Sequence, residues 1–553
     1  MLQISSWGKI FLIDVSKPLC IVRRYNVDRK IIFTREMASS LSSFEESFLK
    51  MKRVYRKLEE VSVRLGEGVK YAYIRNKGKT YEKVYKKGIT GWIPTDWKPD
   101  PEVVRKPLEP ELQAWATHMH SLWLLLGRET AEDITLDHSI IPLPRGFIVS
   151  SSNDHEINYW DSYWIVKGLL ASEMYQTAAG IIENLCHLIE KFGYVPKAGR
   201  YYFRGRSSPP LLAAMLDSYL TATQDMNFIK SKIKFVEEEL KYWREKRTVV
   251  LRKENYQHVL YLYHAESVFP RVESYVDDNM MLKWIDPKEH SEYLMALNSS
   301  CESAWSISSR WCNEESISKG NLMPSNTHHI VPVDLNAYIH NAYNLLRKWF
   351  RKLGDQPKAN HYKILSKDLL VSIEMVLWNE EEQIWLDYDL ETETSRKFFH
   401  VSNLAPLWSR SYSKGKVQMT NAVLEYIYSN KIDQYKGGVP VTKRQTGAPW
   451  DFPNSNPGLH ALLADGLRTL GTPAGKSEAV VFAQKLLRSI YTGYMDDGVV
   501  YEMYNCLDLG LPGNNITNRN GIYGPTIGVT LYLLDRWYKV IRFHDGFFED
   551  EES

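Results

Sequence analysis

Cysteine is scarce in this 553-residue chain: Cys20, Cys186, Cys301, Cys312 and Cys506 lie far apart and form no CxxC pair. That spacing excludes a dense disulfide framework and argues against a metal site. One bridge, Cys301 to Cys312, stays open as an option. Long apolar runs are missing too. No stretch of 18 apolar residues occurs, so no transmembrane helix is expected. The first apolar patch, IFLIDV, is broken by Asp14 and makes a poor signal-peptide core. Excess charge of one sign is absent: 69 basic and 67 acidic residues leave a net charge of +2. This removes the main electrostatic reason to expect nucleic acid as the partner. Two glycosylation-type triplets, at Asn298 and Asn515, matter only if the chain enters the secretory route.

Aromatic residues are plentiful instead, with 17 Trp and 34 Tyr in a chain of ordinary globular composition. Trp and Tyr present flat apolar faces with a polar edge, which suits sugar rings. The competing reading is a large core packed with aromatics.

Residues 1–50 read as an irregular lead-in with a basic cluster, IVRRYNVDRK, and a Ser-rich tract. Apolar spacing predicts a helix over about residues 44–65. GWIPTDWKPDPEVVRKPLEP follows, and its prolines mark an extended connector. Beyond residue 110 helical periodicity is regular, as in ELQAWATHMHSLWLLLG, LLAAMLDSYLTAT, DLNAYIHNAYNLLRKWFRKLG and GLHALLADGLRTLG. About a dozen helices of roughly 12–20 residues alternate with loops rich in Gly, Pro, Asn and aromatics, and no βαβ alternation appears. The pattern implies an all-α domain over residues 51–545, with paired helices around a closed ring, and an acidic tail over 546–553.

Four loops carry candidate chemistry. In the first, residues 138–164, Trp160, Asp161 and Trp164 precede a helix. An Asp between aromatics can accept two sugar hydroxyls, or Asp161 or Ser162 can simply cap that helix. The second, YVPKAGRYYFRGRSSPP, holds three arginines. In the third, FPRVESYVDDN, Arg271 and Glu273 can pair. The fourth, KGGVPVTKRQTGAPWDFPNSNP, repeats a WD dipeptide at Trp450 and Asp451. ESAWSISSRW, residues 302–311, mixes aromatic, small and polar residues, better suited to a pocket floor than to a core.

Together TDWKPDP, HSIIP, GFIV, YWDSYW, RYYFRGRS, PRVESY, ESAWSISSRW, IVPVDLNA and WDFPN resemble, in order and spacing, the trehalases. These are inverting glycoside hydrolases that split α,α-trehalose into two glucoses. The resemblance runs from about residue 90 to 540. It implies an (α/α)6 barrel, a small sugar as partner (trehalose or a relative), and no cofactor or metal. It also implies an extracellular or membrane-associated setting, although neither a clear signal peptide nor an anchor is present in the letters. On the matching positions it implies Glu502, in VYEMYN, as the base, and Trp160, Asp161, Asn184, Arg206, Arg271, Glu273 and Trp450 as substrate-binding residues.

The acid position departs from the family, whose ESGWDFSSRW-like segment carries Asp where this chain has Ser306. A serine hydroxyl is not an acid near neutral pH, and losing general acid catalysis costs about 10²–10⁴-fold. Rescue by Glu302, or by the more distant Glu314 and Glu315, is not expected, since even about 1 Å of misplacement is damaging. Other departures are Asn153 for a clamping arginine, Asp154 for a phenylalanine, Ser208 for Gln, Pro449 for Gln, Asn456 for Trp, and Ile516 near a lid glutamate. Three functions remain: a trehalase relative with crippled hydrolysis that still binds sugar, a working glycosidase with a relocated acid or changed substrate, and a non-enzymatic interaction protein.

Overall fold

The helices expected from apolar periodicity form, and they alternate between two concentric rings. The computed structural model describes residues 88–134, 138–313, 317, 326–514 and 521–543, and the backbone of four short strands between residues 3 and 33. Those strands pair successively and antiparallel. The helix expected over 44–65 and the acidic tail lie outside the described residues.

Among the described residues, twelve helices build the two rings. They are α1 (Pro110–Ser121), α2 (Tyr159–Ala171), α3 (Tyr175–Phe192), α4 (Leu212–Thr223), α5 (Met226–Lys246), α6 (Val333–Lys352), α7 (Gln356–Ser372), α8 (Ala405–Ser409), α9 (Lys416–Ser429), α10 (Pro457–Leu470), α11 (Pro473–Asp497) and α12 (Gly524–Trp537). The even-numbered helices form the inner ring: α2 packs on α4, α4 on α6, α6 on α8, α8 on α10, α10 on α12, and α12 closes on α2. The odd-numbered helices pack outside them. This is an (α/α)6 barrel.

Sequence dictates which ring a helix joins. Inner α2 buries 11 of its 13 residues, so a helix with no polar stripe is stable only with neighbours all round. Outer α5 buries Ile229, Ile233, Val236, Leu240 and Trp243 along one stripe and leaves lysines outside. The ring closes where two glycines meet. A Cβ on Gly168 would lie 2.3 Å from Gly528 Cα, and one on Gly528 would lie 2.2 Å from the Trp164 carbonyl oxygen. No other residue lets α2 and α12 approach so closely.

Loop lengths place the site. Connections from inner to outer helices are short: residues 172–174, 224–225, 353–355, 410–415 and 471–472. Those from outer to inner helices are long, and all lie at the N-terminal end of the inner ring. There they cross-link one another through Ile140 with Arg200, Asn158 with Ala198, Ser151 with Tyr523 and His400 with Thr442. A two-residue pairing joins Asn454–Ser455 to Tyr504–Asn505. Every loop singled out in the sequence belongs to this end.

Two further elements were not foreseen. A hairpin pairs Thr248–Lys253 with Tyr256–Tyr261, turning on Glu254 and Asn255 at φ 50 and 66, the double left-handed turn that suits a tight hairpin. The helix His290–Glu302 leads directly into the ESAWSISSRW segment.

Candidate active site

The helix His290–Glu302 delivers a segment fixed at three points. At its start the fully buried Glu302 carboxylate accepts from Arg247 Nε (2.9 Å) and Nη2 (2.9 Å), from the Ser207 N–H (2.9 Å) and from the His264 N–H (3.1 Å). At its end the Arg310 guanidinium is held by Asp334 (2.8 and 3.0 Å) and Asp387 (2.7 and 3.1 Å), and it lies over the rings of Trp305 and Trp311. Between them Asp451 accepts from Ser308 Oγ (2.8 Å), the Ser309 N–H (2.9 Å), Ser309 Oγ (2.9 Å), Thr442 Oγ1 (3.2 Å) and Thr446 Oγ1. Trp305 stacks on Trp450 with centroids 5.6 Å apart, and the Trp450 N–H donates to the Ile307 carbonyl at 3.3 Å. Half-buried Ser306 sits within this frame, its carbonyl accepting from Ser300 Oγ at 2.8 Å. One feature opposes the frame: Ala304 has φ +67, which disfavours any residue with a Cβ by about 1–2 kcal/mol.

A second cluster gathers at the N-terminus of α2. Asn158 is the cap, accepting weakly from the Asp161 N–H (3.4 Å), while Ser162 Oγ donates to the Asn158 carbonyl (2.6 Å). The Asp161 carboxylate is therefore not the cap. It accepts from Tyr523 Oη at 3.1 Å and from Ser150. Burial pushes Asp161 up to about 6, although Ser150, Tyr523 and Lys197 favour its ionised form. Burial and the neighbouring Glu156 and Asp161 push Asp154 up to about 7. The Tyr523 hydroxyl is raised well above its ordinary value by burial and by Asp161, Glu502 and Asp154, so three carboxyl groups act on one phenol. Glu502 is half-buried, just before the Tyr504–Asn505 pairing. Trp160 packs edge-on against Trp164 and tilted against Tyr338.

The third cluster is cationic. Arg206 grips Glu273 with two bonds of 2.6 and 2.9 Å. Burial would raise Glu273, but Arg206 and Arg271 overcome it and bring the carboxyl to about 2. The hydrogen-bonded partner of Glu273 is thus Arg206, not Arg271 as the sequence suggested. Arg271 donates to Asp278 at 2.6 and 3.1 Å and to Cys301 Sγ at 3.4 Å. Against its burial, Lys197, Arg271 and Arg206 lower the Cys301 thiol. Lys197 links this cluster to the second, since its charge also acts on Asp161 and Glu273.

The sequence-derived residues therefore divide. Trp160, Asp161, Arg206, Arg271, Glu273, Trp450, Ser306 and Glu502 all lie on loops or first helical turns at the same end of the barrel. Asn184 lies inside α3, where both ends of its amide bond the Arg145 backbone (3.0 and 2.9 Å), bracing the loop before α2. Asn456 caps α10 by accepting from the Leu459 N–H (3.0 Å). Asn153 is exposed, and Ile516, Glu314 and Glu315 lie outside the described residues. Sequence reasoning missed Tyr523, and Lys197 although it sits in the second flagged loop. No disulfide joins Cys301 to Cys312. Buried Asn298 donates to the Leu294 and Phe269 carbonyls (2.8 and 2.9 Å), so its triplet is closed to modification in the folded chain. Among the described residues no helix is long and apolar enough to cross a membrane.

Carboxyl groups, cationic groups and tryptophans gathered at one end of the barrel are of the kind that suit a polyhydroxylated ligand. The comparisons agree in kind. The sequence profile of the trehalase family matches residues 42–537. The trehalase of Pimpla hypochondriaca is 35% identical over 456 residues, covering 81% of this chain and 78% of that protein. The trehalase of Homo sapiens is 36% identical over 456 residues, covering 81% and 77%. The solved neutral trehalase Nth1 from Saccharomyces cerevisiae superposes with a TM-score of 0.58 at 17% identity, covering 71% of this chain and 75% of that one, and so shares the fold. With the profile spanning the whole barrel and relatives above 30% identity across four-fifths of the chain, this protein belongs to the trehalase family.

Proposed function

We propose that this chain binds α,α-trehalose or a closely related disaccharide and hydrolyses it weakly or not at all. The observation that carries the reading is Ser306 at the position of the family's acid. Inverting hydrolysis needs a protonated carboxyl to donate to the leaving oxygen and an ionised one, on the opposite face, to activate water. Glu502 supplies the second role by its match to the family base. A hydroxyl cannot supply the first, and the expected loss is about 10²–10⁴-fold. Glu302 does not step in: both of its oxygens are engaged by Arg247, Ser207 and His264, and protonating it would break that set. The binding groups persist, with Asp161 accepting sugar hydroxyls, Lys197 and the Arg206–Glu273 pair facing them, and Trp160 and Trp450 offering apolar planes.

The test is glucose release from trehalose by the unmodified chain and by Ser306→Asp, beside calorimetric titration of the sugar. The expected result is binding without robust turnover. Ser306→Asp is expected to recover little, because Asn153 still replaces the clamping arginine. Robust turnover by the unmodified chain would overturn the reading. Absence of sugar binding by a chain with a folded circular dichroism signal would favour an interaction protein instead.

A second reading is favoured by Asp154. It stands where the family has an apolar residue, and with a carboxyl pushed up to about 7 it keeps a substantial protonated fraction near neutral pH, as a general acid requires. On this reading residual hydrolysis disappears in Asp154→Asn and falls as pH rises through 7.

A further inference from the structure

Glu292, His328 and His329 take no part in the sugar site. Glu292 lies in the first turn of the helix His290–Glu302, and the two histidines are consecutive in the turn Thr327–His329. His328 Nε2 and His329 Nε2 both aim at one oxygen, Glu292 Oε1; the His329 distance is 3.3 Å and His328 is closer. All three atoms lie within 4.8 Å of one another. The two rings are 4.2 Å apart and tilted by 49°. A second carboxylate oxygen, Glu391 Oε1, lies 3.9 Å from His329 Nε2.

Proton accounting makes this cluster unusual. His328 is only 5% exposed, and its Nδ1 is buried with no hydrogen-bond partner among the described residues. A neutral ring has one proton. Placed on Nε2, it leaves a bare acceptor at buried Nδ1. Placed on Nδ1, it is a buried donor with no partner among the described residues and aims the Nε2 lone pair at a carboxylate, an arrangement that a cation between them would stabilise. Two imidazoles and a carboxylate, with a second carboxylate nearby, match the ligand preferences of Zn²⁺.

We propose that Glu292, His328 and His329 form a divalent metal site selective for Zn²⁺-like ions, with Glu391 placed to complete the coordination. The thiol-based reasoning from the sequence did not reach it, because its ligands are histidines 36 and 37 residues away from the glutamate. The site is a structural staple. It would tie the start of the helix that ends at Cys301 and Glu302 to the strand Ile330–Val331 entering α6, and to the turn after the partner strand Tyr388–Asp389.

The test uses the full chain stripped with chelator and titrated with Zn²⁺ by calorimetry, with Co²⁺ as a spectroscopic probe and thermal unfolding as a second readout. The expected results are one equivalent of Zn²⁺, a tetrahedral Co²⁺ absorption band, and a Tm that rises with Zn²⁺ concentration. Glu292→Gln and His329→Ala, both at accessible positions, should each weaken Zn²⁺ binding by about tenfold or more and abolish the Co²⁺ band, while the metal-free Tm stays near that of the parent. No binding by the parent, or binding equally tight in both variants, would overturn the proposal. Neither outcome bears on the sugar site.

Discussion

Asp161 and Asp451 each follow a tryptophan, each stands on a loop or first turn at the same end of the barrel, and each is buried. Their surroundings differ. Asp451 receives hydrogen bonds from Ser308, Ser309, Thr442 and Thr446, so its oxygens are committed to holding ESAWSISSRW against the loop before α10. Asp161 accepts from Tyr523 and Ser150, and burial holds its carboxyl at about 6. A saturated carboxylate has finished its work in the fold. An under-supplied one, desolvated and facing Lys197, has capacity left for a ligand. On the proposed reading, the aspartate of the same dipeptide serves architecture in one loop and recognition in the other, and the count of protein donors separates them where burial does not.

The strongest way to break this contrast is to remove each carboxylate. Asp451→Ala strands several buried donors and should lower unfolding stability by about 3–5 kcal/mol in urea titrations. A loss below about 1 kcal/mol would show that the hydroxyls find other acceptors and that the clamp is not Asp451.

Acidity supplies the next test. The folded-state pKa of Asp161 is raised from 3.8 to about 6. The folded chain therefore binds this proton more tightly than the unfolded chain, and stability falls as pH rises from about 4 through 6. The contribution is about 3 kcal/mol at most. Asp161→Asn should flatten that part of the pH–stability curve, whereas conservative changes around Asp451 should not. A parent curve rising with pH over this window, with no change in slope in Asp161→Asn, would contradict the assignment.

Recognition should follow the opposite sign. Ionised Asp161 is the better acceptor of sugar hydroxyls, so affinity for trehalose should rise as pH passes through about 6. At neutral pH, Asp161→Asn should weaken binding by about 2 kcal/mol, in line with loss of charge-assisted hydrogen bonds, with little loss of stability. Calorimetry at two pH values checks both statements.

Much of the barrel was legible because its helices carry their own signals. The stripe Ile229, Ile233, Val236, Leu240, Trp243 marks α5, and α2 announces an inner helix by having no polar face. The helix His290–Glu302 was not legible, because it buries Asn298, Ser299, Ser300 and Glu302. Those residues read as surface or loop until Arg247, Ala265 and the carbonyls of Leu294 and Phe269 supply their partners. The site was legible in its motifs and opaque in its pairings. Nothing in PRVESY says that Glu273 belongs to Arg206, since that pairing joins separate loops, or that Arg271 instead takes Asp278 further along its own segment. Asn184 reads as a polar pocket residue, yet its amide is matched to a backbone segment 39 residues away.

The smallest expected effect lies inside the clamped segment. Ala304, at φ +67, occupies the position where the family carries glycine. An alanine there works against about 1–2 kcal/mol of steric cost, partly offset because glycine loses more chain entropy on folding. Ala304→Gly should therefore stabilise the chain by about 0.5–1 kcal/mol in urea titrations. The strain persists only while Asp451, Arg310 and Glu302 hold the segment on either side. In an Asp451→Ala background the loop can relax, and the gain from glycine should shrink toward zero. Equal gains in both backgrounds would mean that the left-handed turn is fixed by the helix end and Glu302 alone. The clamp at Asp451 would then govern where Ser306 sits without governing how the chain reaches it.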